Sequence, residues 1–211
     1  MALLTLRLDE VGFRPAGAIP ASWPGSLPRL FLALWLTVSI GFQAQGQPIS
    51  TSLEQKVKAA YLFNFTKYVE WPPKAFSRAA DPILIGVLGV DPLGPLLEET
   101  IGDRQVGGRK VQIKRSRKAQ DLRSCHMVLI SSSERSRLAE IFRELGGTFA
   151  LTVSDIPQFS GNSGMITFVL ENETVRFDIN LENAQRAGLK INARLLNTAR
   201  NVLPRRPRGS K

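Results

Sequence analysis

The stretch that decides the fold runs from Val57 to Pro72 and reads VKAAYLFNFTKYVEWP. Its apolar and aromatic residues recur at helical spacing, and the prolines that end it prevent the helix from continuing. One stripe runs along the helical wheel, and it contains Leu53, Val57, Ala60, Tyr61, Asn64 and Tyr68. We therefore predict an amphipathic helix that packs along this stripe.

Asn64 lies among aromatic residues on that stripe, where a buried amide without a partner costs about 1–3 kcal/mol. One interpretation is a core helix in which Asn64 hydrogen-bonds a neighbouring backbone group. The other is a polar anchor in an aromatic-lined cleft, with Trp71 at its lip. On the second interpretation, Asn64, Lys67 and Trp71 are candidates for binding a partner or a ligand.

An uncharged run precedes this helix. Leu30–Phe42 reads LFLALWLTVSIGF, which is shorter than the roughly 20 residues of a membrane span and fits the apolar region of a signal peptide, about 7–15 residues. Ala44 and Gly46 supply small residues for cleavage after Gly46. We predict a signal peptide with an extended leader over residues 1–46 and localisation in the periplasm. A buried core helix is the alternative.

The chain contains one cysteine and one histidine, Cys125 and His126. A lone cysteine forms no internal disulfide, and Cys125 is expected to act as a small apolar residue in a buried strand. An intermolecular bridge or a reactive thiol is the alternative. One cysteine and one histidine do not make a typical four-ligand zinc site. We predict no metal and no cofactor.

The sequence is basic, with a formal net charge of +10. One run of basic residues falls in a predicted strand, where a solvated strand edge and a partner contact are the two interpretations: Arg109, Lys110, Lys114, Arg115, Arg117 and Lys118. No nucleic-acid-binding motif accompanies this charge, so the expected partners are anionic lipid headgroups or acidic protein surfaces. Residues 204–211 are predicted to be a basic disordered tail.

Residues 47–203 are predicted to form a single α/β domain. Apolar runs and turn residues give the order α-β-α-β-β-α-β-β-β-α-α. The predicted strands are Ile83–Val90, Val111–Ile113, His126–Ser131 and Thr148–Asp155, and they are followed by a hairpin that turns at Glu171–Thr174. The predicted helices are Pro92–Ile101, Glu134–Leu145, Glu182–Ala187 and Asn192–Leu203. The fold class is α/β: a layered mixed sheet with a parallel centre, an antiparallel hairpin edge and helices on both faces.

The second strand of the hairpin carries polar residues on one face. Arg176, Asp178 and Asn180 alternate with the apolar Val175, Phe177 and Ile179. If the closing helices leave this face open, these polar side chains are candidates for partner or ligand binding. Alternatively, Arg176 pairs with Asp178 in solvent, and Asn180 caps the helix that starts at Leu181.

We find no catalytic constellation. The glycines of GVLGVDPLG do not have dinucleotide-binding spacing. Gly161–Met165, GNSGM, lacks the spacing of a nucleophile elbow and precedes a strand. His126 stands where a strand should begin, without the freedom of a catalytic base. We predict that the protein is not an enzyme and has no catalytic residues.

Four segments in succession resemble the signature segments of the YfiR family of periplasmic regulators: KAAYLFNFTKYVEWP, ILIGVLGVDPLG, CHMVLISSSE and VRFDINLENAQRAGLKINARLLNTA. The resemblance covers nearly all of residues 47–203 and implies an exported α/β fold. It also implies repression of a membrane-bound diguanylate cyclase through its periplasmic part. The well-understood member relies on disulfides, whereas this chain has only Cys125, so control through an internal bridge is not expected.

The resemblance therefore predicts a non-enzymatic regulator of cyclic di-GMP signalling with a membrane-bound partner. The alternative is a small-ligand-binding sensor that works with a histidine kinase or an outer-membrane receptor. A small ligand and a homodimer are both left open by the sequence.

Overall fold

A computed structural model of the chain describes residues 49–203. The predicted leader, residues 1–46, and the predicted tail, residues 204–211, lie outside the described residues. The boundaries of the predicted domain, 47–203, stay a prediction.

The predicted first helix is α1, Ile49–Tyr68, which contains neither glycine nor proline over its 20 residues. It runs into a two-residue strand, β1, Val69–Glu70. Next comes a 3-10 turn, Pro73–Ala75, with a proline at its first position. Proline lacks the backbone N–H that an α-helix interior needs, so the chain turns here as predicted.

The face that α1 buries overlaps the predicted stripe only in part. Val57, Tyr61 and Tyr68 of the stripe pack against the core. The buried side chains centre on Leu62 and Thr66, whereas Leu53 is 63% exposed and Ala60 is also exposed. Apolar residues occur on more than one side of the helix, so its periodicity is compatible with more than one buried stripe. The face that is buried is determined by packing against the sheet, and this packing cannot be read from the sequence of the helix alone.

Nine further strands follow β1, and their bounds are β2 (Ile83–Leu88), β3 (Gln105–Val106), β4 (Arg109–Ser116), β5 (Met127–Ile130), β6 (Leu151–Ser154), β7 (Ile166–Glu171), β8 (Thr174–Asn180), β9 (Lys190–Ile191) and β10 (Asn201–Leu203). Eight of the described strands form one sheet in the order β10-β8-β7-β6-β5-β2-β4-β3, and β1 pairs with β9. The central strands from β4 to β7 are parallel. The hairpin β7–β8 is antiparallel, and β10 runs parallel to β8 outside it.

Helices cover both faces of this sheet, and their bounds after α1 are α2 (Leu96–Ile101), α3 (Leu138–Glu144), α4 (Leu181–Arg186) and α5 (Ala193–Thr198). Alternate residues of β5 enter two separate cores, since Met127 packs in one and Val128 in the other. The first core includes α1, α2, α4 and α5, and the second includes α3 and the 3-10 turn Ala119–Leu122. The predicted fold class is confirmed.

Most predicted elements are present with shifted ends. The strand predicted to reach Val90 ends at Leu88, because Gly89 takes a positive φ of 91° and turns the chain away from the sheet. The predicted hairpin turn is formed by Asn172 and Glu173, both with positive φ. Asparagine adopts this left-handed conformation more readily than most residues, which favours the turn.

The last predicted helix, Asn192–Leu203, is wrong in its second half. Helix α5 ends at Thr198, and Ala199 is extended. The Arg200 amide N–H then donates to the Phe177 carbonyl oxygen at 2.8 Å, so the chain continues as β10 beside β8. A long-range pairing overrides the local helical pattern here.

Candidate functional site

Trp71 connects the segment after α1 to the centre of the sheet. Its indole N–H donates to the carbonyl oxygens of His126 at 2.8 Å and of Phe149 at 3.1 Å. These carbonyls lie just before β5 and β6, so one side chain holds two neighbouring strands. Trp71 is half-buried, and its contacts give it a structural role whether or not it also binds a partner.

His126 lies beside Trp71 in a layered stack. Its ring stacks on Phe76 with a centroid distance of 4.3 Å, and the Arg109 guanidinium lies 3.8 Å from the Phe76 centroid on that ring. The Leu84 N–H donates to His126 Nδ1, and Nε2 lies 3.1 Å from the Ala75 carbonyl oxygen. These contacts fit a neutral imidazole with its proton on Nε2, and burial lowers the pKa of His126.

Sequence reasoning did not identify this stack as a site. The only available signal was that His126 is the single histidine of the chain. Its neighbour Cys125 is buried, as predicted, and burial raises the pKa of the thiol to about 11. The thiol is therefore protonated at neutral pH, which argues against a reactive thiolate.

Asn64 and Lys67 lie on the side of α1 that faces away from the sheet. We name this side the outer α1 face, and its residues are Leu53, Ala60, Asn64 and Lys67. Asn64 is half-buried, while Lys67 is exposed with its Nζ 5.5 Å from the centroid of the Phe63 ring. The face presents apolar groups, one amide and one cation together.

The polar residues of β8 point away from α1, because they alternate with Phe177 and Ile179, which pack in the core beneath α1. Helices α4 and α5 also pack on that core and do not cover the polar face. The predicted site residues therefore fall into two groups on opposite sides of the sheet. Arg176 is exposed.

Asp178 does not pair with Arg176 in the structure. Its carboxylate accepts two hydrogen bonds from the Arg200 guanidinium, at 2.9 Å from Nε and 2.6 Å from Nη2. The hydrogen bond from Arg200 to Asp178 raises the pKa of Arg200, so the guanidinium stays charged. Asp178 thus fastens β10 to β8.

Asn180 caps α4, in agreement with one of the two sequence interpretations. Its Oδ1 accepts from the Asn183 amide N–H at 2.9 Å, and its Nδ2 donates to the Ser160 carbonyl oxygen at 2.7 Å. The side chain therefore joins the hairpin to the loop after β6. Its hydrogen-bonding groups are engaged in local structure.

A groove of about 480 Å³ lies between the hairpin and that loop. Asp178 and Arg200 line it, together with the 56%-exposed Leu170. Asp155 at its rim pairs with Lys58 of α1 at 2.9 Å. Burial of Lys58 opposes its charge, but ion pairs with Glu54 and Asp155 outweigh burial and raise its pKa. Helix α1 and the groove are thereby linked electrostatically.

Within residues 49–203, no cluster of three or more His, Cys, Asp or Glu side chains is placed to hold a metal ion. Over the same range, no helix is both long and apolar enough to cross a bilayer.

A sequence profile described as YfiR/HmsC-like matches residues 55–200. The chain belongs to the YfiR/HmsC-like family. The match extends from the seventh residue of α1 to the residue before β10 and so includes both groups of predicted site residues. Members of the YfiR/HmsC-like family are regulators rather than enzymes.

A search of curated proteins found no match. Two solved structures are distantly similar. A conserved domain protein from Vibrio cholerae O1 biovar El Tor str. N16961 has a TM-score of 0.46 and 10% identity, over 57% of this chain and 55% of that one. An ABC domain in complex with L-Trp from Streptococcus pneumoniae has a TM-score of 0.47 and 12% identity, over 71% of this chain and 60% of that one. The chain thus spans less than two thirds of either, and similarity this low does not extend to function.

Proposed function

We propose that this YfiR/HmsC-like chain is a periplasmic, non-enzymatic regulator that binds and represses a membrane-bound signalling enzyme, a diguanylate cyclase. The observation that supports the proposal best is the outer α1 face. It combines the 63%-exposed Leu53 with the exposed Ala60 on a helix whose opposite side is fixed in the core.

An exposed apolar stripe on a rigid helix is the type of surface that protein partners bind. Ala60 at its middle allows close approach of another backbone, and Asn64 supplies an amide that can hydrogen-bond a partner. Lys67 at the end of the face adds positive charge. The family profile includes the larger part of this face, from residue 55 onward.

The charge of the chain favours an acidic partner or an anionic membrane surface. The sequence carries a formal net charge of +10, and charge of this size accelerates association with acidic partners at low salt. Arg176, on the opposite side of the sheet, is a second candidate for direct contact. Asp178 and Asn180 act instead through the structure of the hairpin.

The test is a titration of the purified chain against the solubilised cyclase, with cyclic di-GMP production as the readout. Repression by binding saturates when the regulator equals the cyclase in amount and forms no product of its own. Cyclic di-GMP production that stays unchanged at a saturating excess of the chain would reject the proposal that the chain is a repressor.

A matched pair of variants locates the docking surface. Ala60→Arg places a large cation in the middle of the outer α1 face and should raise the half-inhibiting concentration at least tenfold, or about 1.4 kcal/mol. Ala139→Arg makes the same change at an exposed position of α3, on the other side of the sheet, and should repress as wild type. Equal repression by both variants would be compatible with the repressor function but would exclude the outer α1 face as the docking surface.

Localisation is tested independently of the partner. Export with cleavage after Gly46 predicts a periplasmic protein whose N-terminus begins near Gln47. Recovery of an intact cytoplasmic chain starting at Met1 would contradict both the signal peptide and the periplasmic location.

The second candidate function is a small-ligand sensor that works with a histidine kinase or an outer-membrane receptor. What favours it is a second concavity, larger than the groove beside Asp178, at the opposite end of the parallel strands.

A further inference from the structure

This larger cleft has a volume of about 670 Å³, within the usual range for small-molecule sites of about 300–1,000 Å³. It lies beside the residues that precede β6 and β7. Four segments form its walls: the turn after α1, the end of α3 with the following loop, the loop before β7, and α4.

The cleft is positively charged. Lys74 and Arg186 line it, and its lining contains no aspartate or glutamate. Arg186 is partly compensated by an ion pair with Glu182 in α4. Lys74 forms a cation–π contact with the Phe149 ring, 5.0 Å from the centroid, and has no ion pair with any residue in the described range 49–203. Its charge is available to an anion.

Apolar and hydrogen-bonding groups accompany these cations. Phe142, Phe149 and Met165 supply apolar wall. Ser163 also lines the cleft, and its hydroxyl has no hydrogen-bond partner among residues 49–203. The Asn183 amide is fixed by donating to the Gly164 carbonyl oxygen at 2.9 Å, which holds α4 against the loop before β7. The wall is thus positioned by the fold.

The crevice in which ligands usually bind to a sheet of this type is filled by protein atoms here. In open α/β sheets ligands bind beyond the carboxyl ends of the strands where the strand order reverses, which here is between β2 and β5. There the Val90 N–H donates to Ser133 Oγ at 3.1 Å. A Cβ at Gly89 would lie 2.5 Å from that oxygen, so this crevice is filled by protein.

We propose that the cleft beside Lys74 binds a small organic anion, a carboxylate or a phosphate carried on an apolar body. Lys74 and Arg186 attract the acid group, the Ser163 hydroxyl donates to it, and the phenylalanines contact the apolar part. The inference goes beyond the proposed partner and does not depend on it, because it uses neither the outer α1 face nor the polar face of β8.

The test uses benzoate and phenyl phosphate as probes, with benzylamine as the probe of opposite charge, titrated into the purified chain and followed by calorimetry and amide NMR. We expect saturable binding of at least one anion, with shifts at Gly147 and Ser163 and none at Gly108. Whichever anion binds more tightly identifies the acid group. Benzylamine should bind at least tenfold more weakly.

Substitutions complete the test. Lys74→Gln should weaken anion binding about fivefold, the effect of removing an exposed charge pair worth about 1 kcal/mol. Lys56→Gln, at an exposed position of α1 outside the cleft lining, should bind as wild type. Equal binding of benzoate and benzylamine to the wild-type chain would overturn the proposal even if Lys74→Gln failed to fold. Absence of saturation with both anions would also overturn it, and neither result would affect repression of the cyclase.

Discussion

The Trp71 indole N–H and the His126 carbonyl oxygen are 2.8 Å apart, and this hydrogen bond joins the end of the first helix to the start of a central strand. The same N–H reaches the Phe149 carbonyl oxygen at 3.1 Å. A residue that the sequence suggested as the lip of a binding cleft thus holds two strands together. Its role in binding stays a prediction, and its role in stability follows from these contacts.

Replacing Trp71 by phenylalanine should lower the free energy of unfolding by about 1–3 kcal/mol, since the part-buried carbonyl oxygens of His126 and Phe149 lose their shared donor while most of the packing remains. Urea denaturation measures the loss. Lys67→Gln, at an exposed position four residues earlier, is the control and should change stability by less than about 0.5 kcal/mol. Wild-type stability in Trp71→Phe, combined with lost repression of the cyclase, would assign Trp71 to the docking surface instead.

Acid should destabilise the protein through His126. Burial lowers its pKa in the fold, so the unfolded chain binds a proton more readily, and the stability from the neutral ring is lost as pH falls below the unfolded value of about 6.5. Unfolding free energies at pH 7.5, 6.5 and 5.5 should therefore decrease, by at most about 1.4 kcal/mol per pH unit. His126→Asn should be less stable at pH 7.5 but nearly independent of pH. An equally steep decrease in His126→Asn would contradict the assignment.

The central sheet was predictable from sequence because its strands are short apolar runs with buried residues on both faces. Ile85, Val87, Met127 and Leu129 occupy one core, while their neighbours Leu88, Val128 and Ile130 occupy the other. Such runs have few alternatives to a buried parallel strand. The two-residue strands β1, β3 and β9 are too short to show an alternation of apolar and polar residues. They form where another segment of the chain lies close enough to pair with them.

The candidate site was less predictable because it depends on which side of each element faces the sheet. Part of the stripe that includes Asn64 lies on the outer face of α1, whereas Tyr61 and Tyr68 of the same stripe pack against the core. The partner of Asp178 is Arg200, which is separated from it by 22 residues and three elements. The stack of Phe76, His126 and Arg109 likewise joins three segments that are distant in sequence, and no local spacing of residues predicts it.

The pair formed by Asp178 and Arg200 should determine the stability of β10 more than that of the whole fold. Asp178→Ala removes both acceptors of the guanidinium, so the amides of Val202 and Leu203 should exchange hydrogen about tenfold faster, as for a local loss of about 1.4 kcal/mol. Global unfolding should change by roughly 1 kcal/mol, as for a partly exposed ion pair. Arg176→Ala, two residues earlier on an exposed side chain, should leave the exchange of β10 unchanged. Faster exchange in Arg176→Ala as well would indicate that β10 depends on the strand generally and not on the pair.

Gly89 should be intolerant of a side chain because both its backbone and its surroundings exclude one. Its φ is +91°, and an added Cβ would lie 2.5 Å from Ser133 Oγ and 2.6 Å from Glu134 Oε1. Gly108 provides the matched control, since its φ is +77° but nothing lies within 4 Å of an added Cβ. Gly108→Ala should cost about 1–2 kcal/mol for the left-handed backbone alone. Gly89→Ala should cost more than twice the control in urea denaturation, because Ser133 and Glu134 must also move from the end of β5. Equal losses of unfolding free energy in the two variants would mean that the residues at the carboxyl ends of β2 and β5 rearrange at little cost. The crevice there would then be open to a ligand.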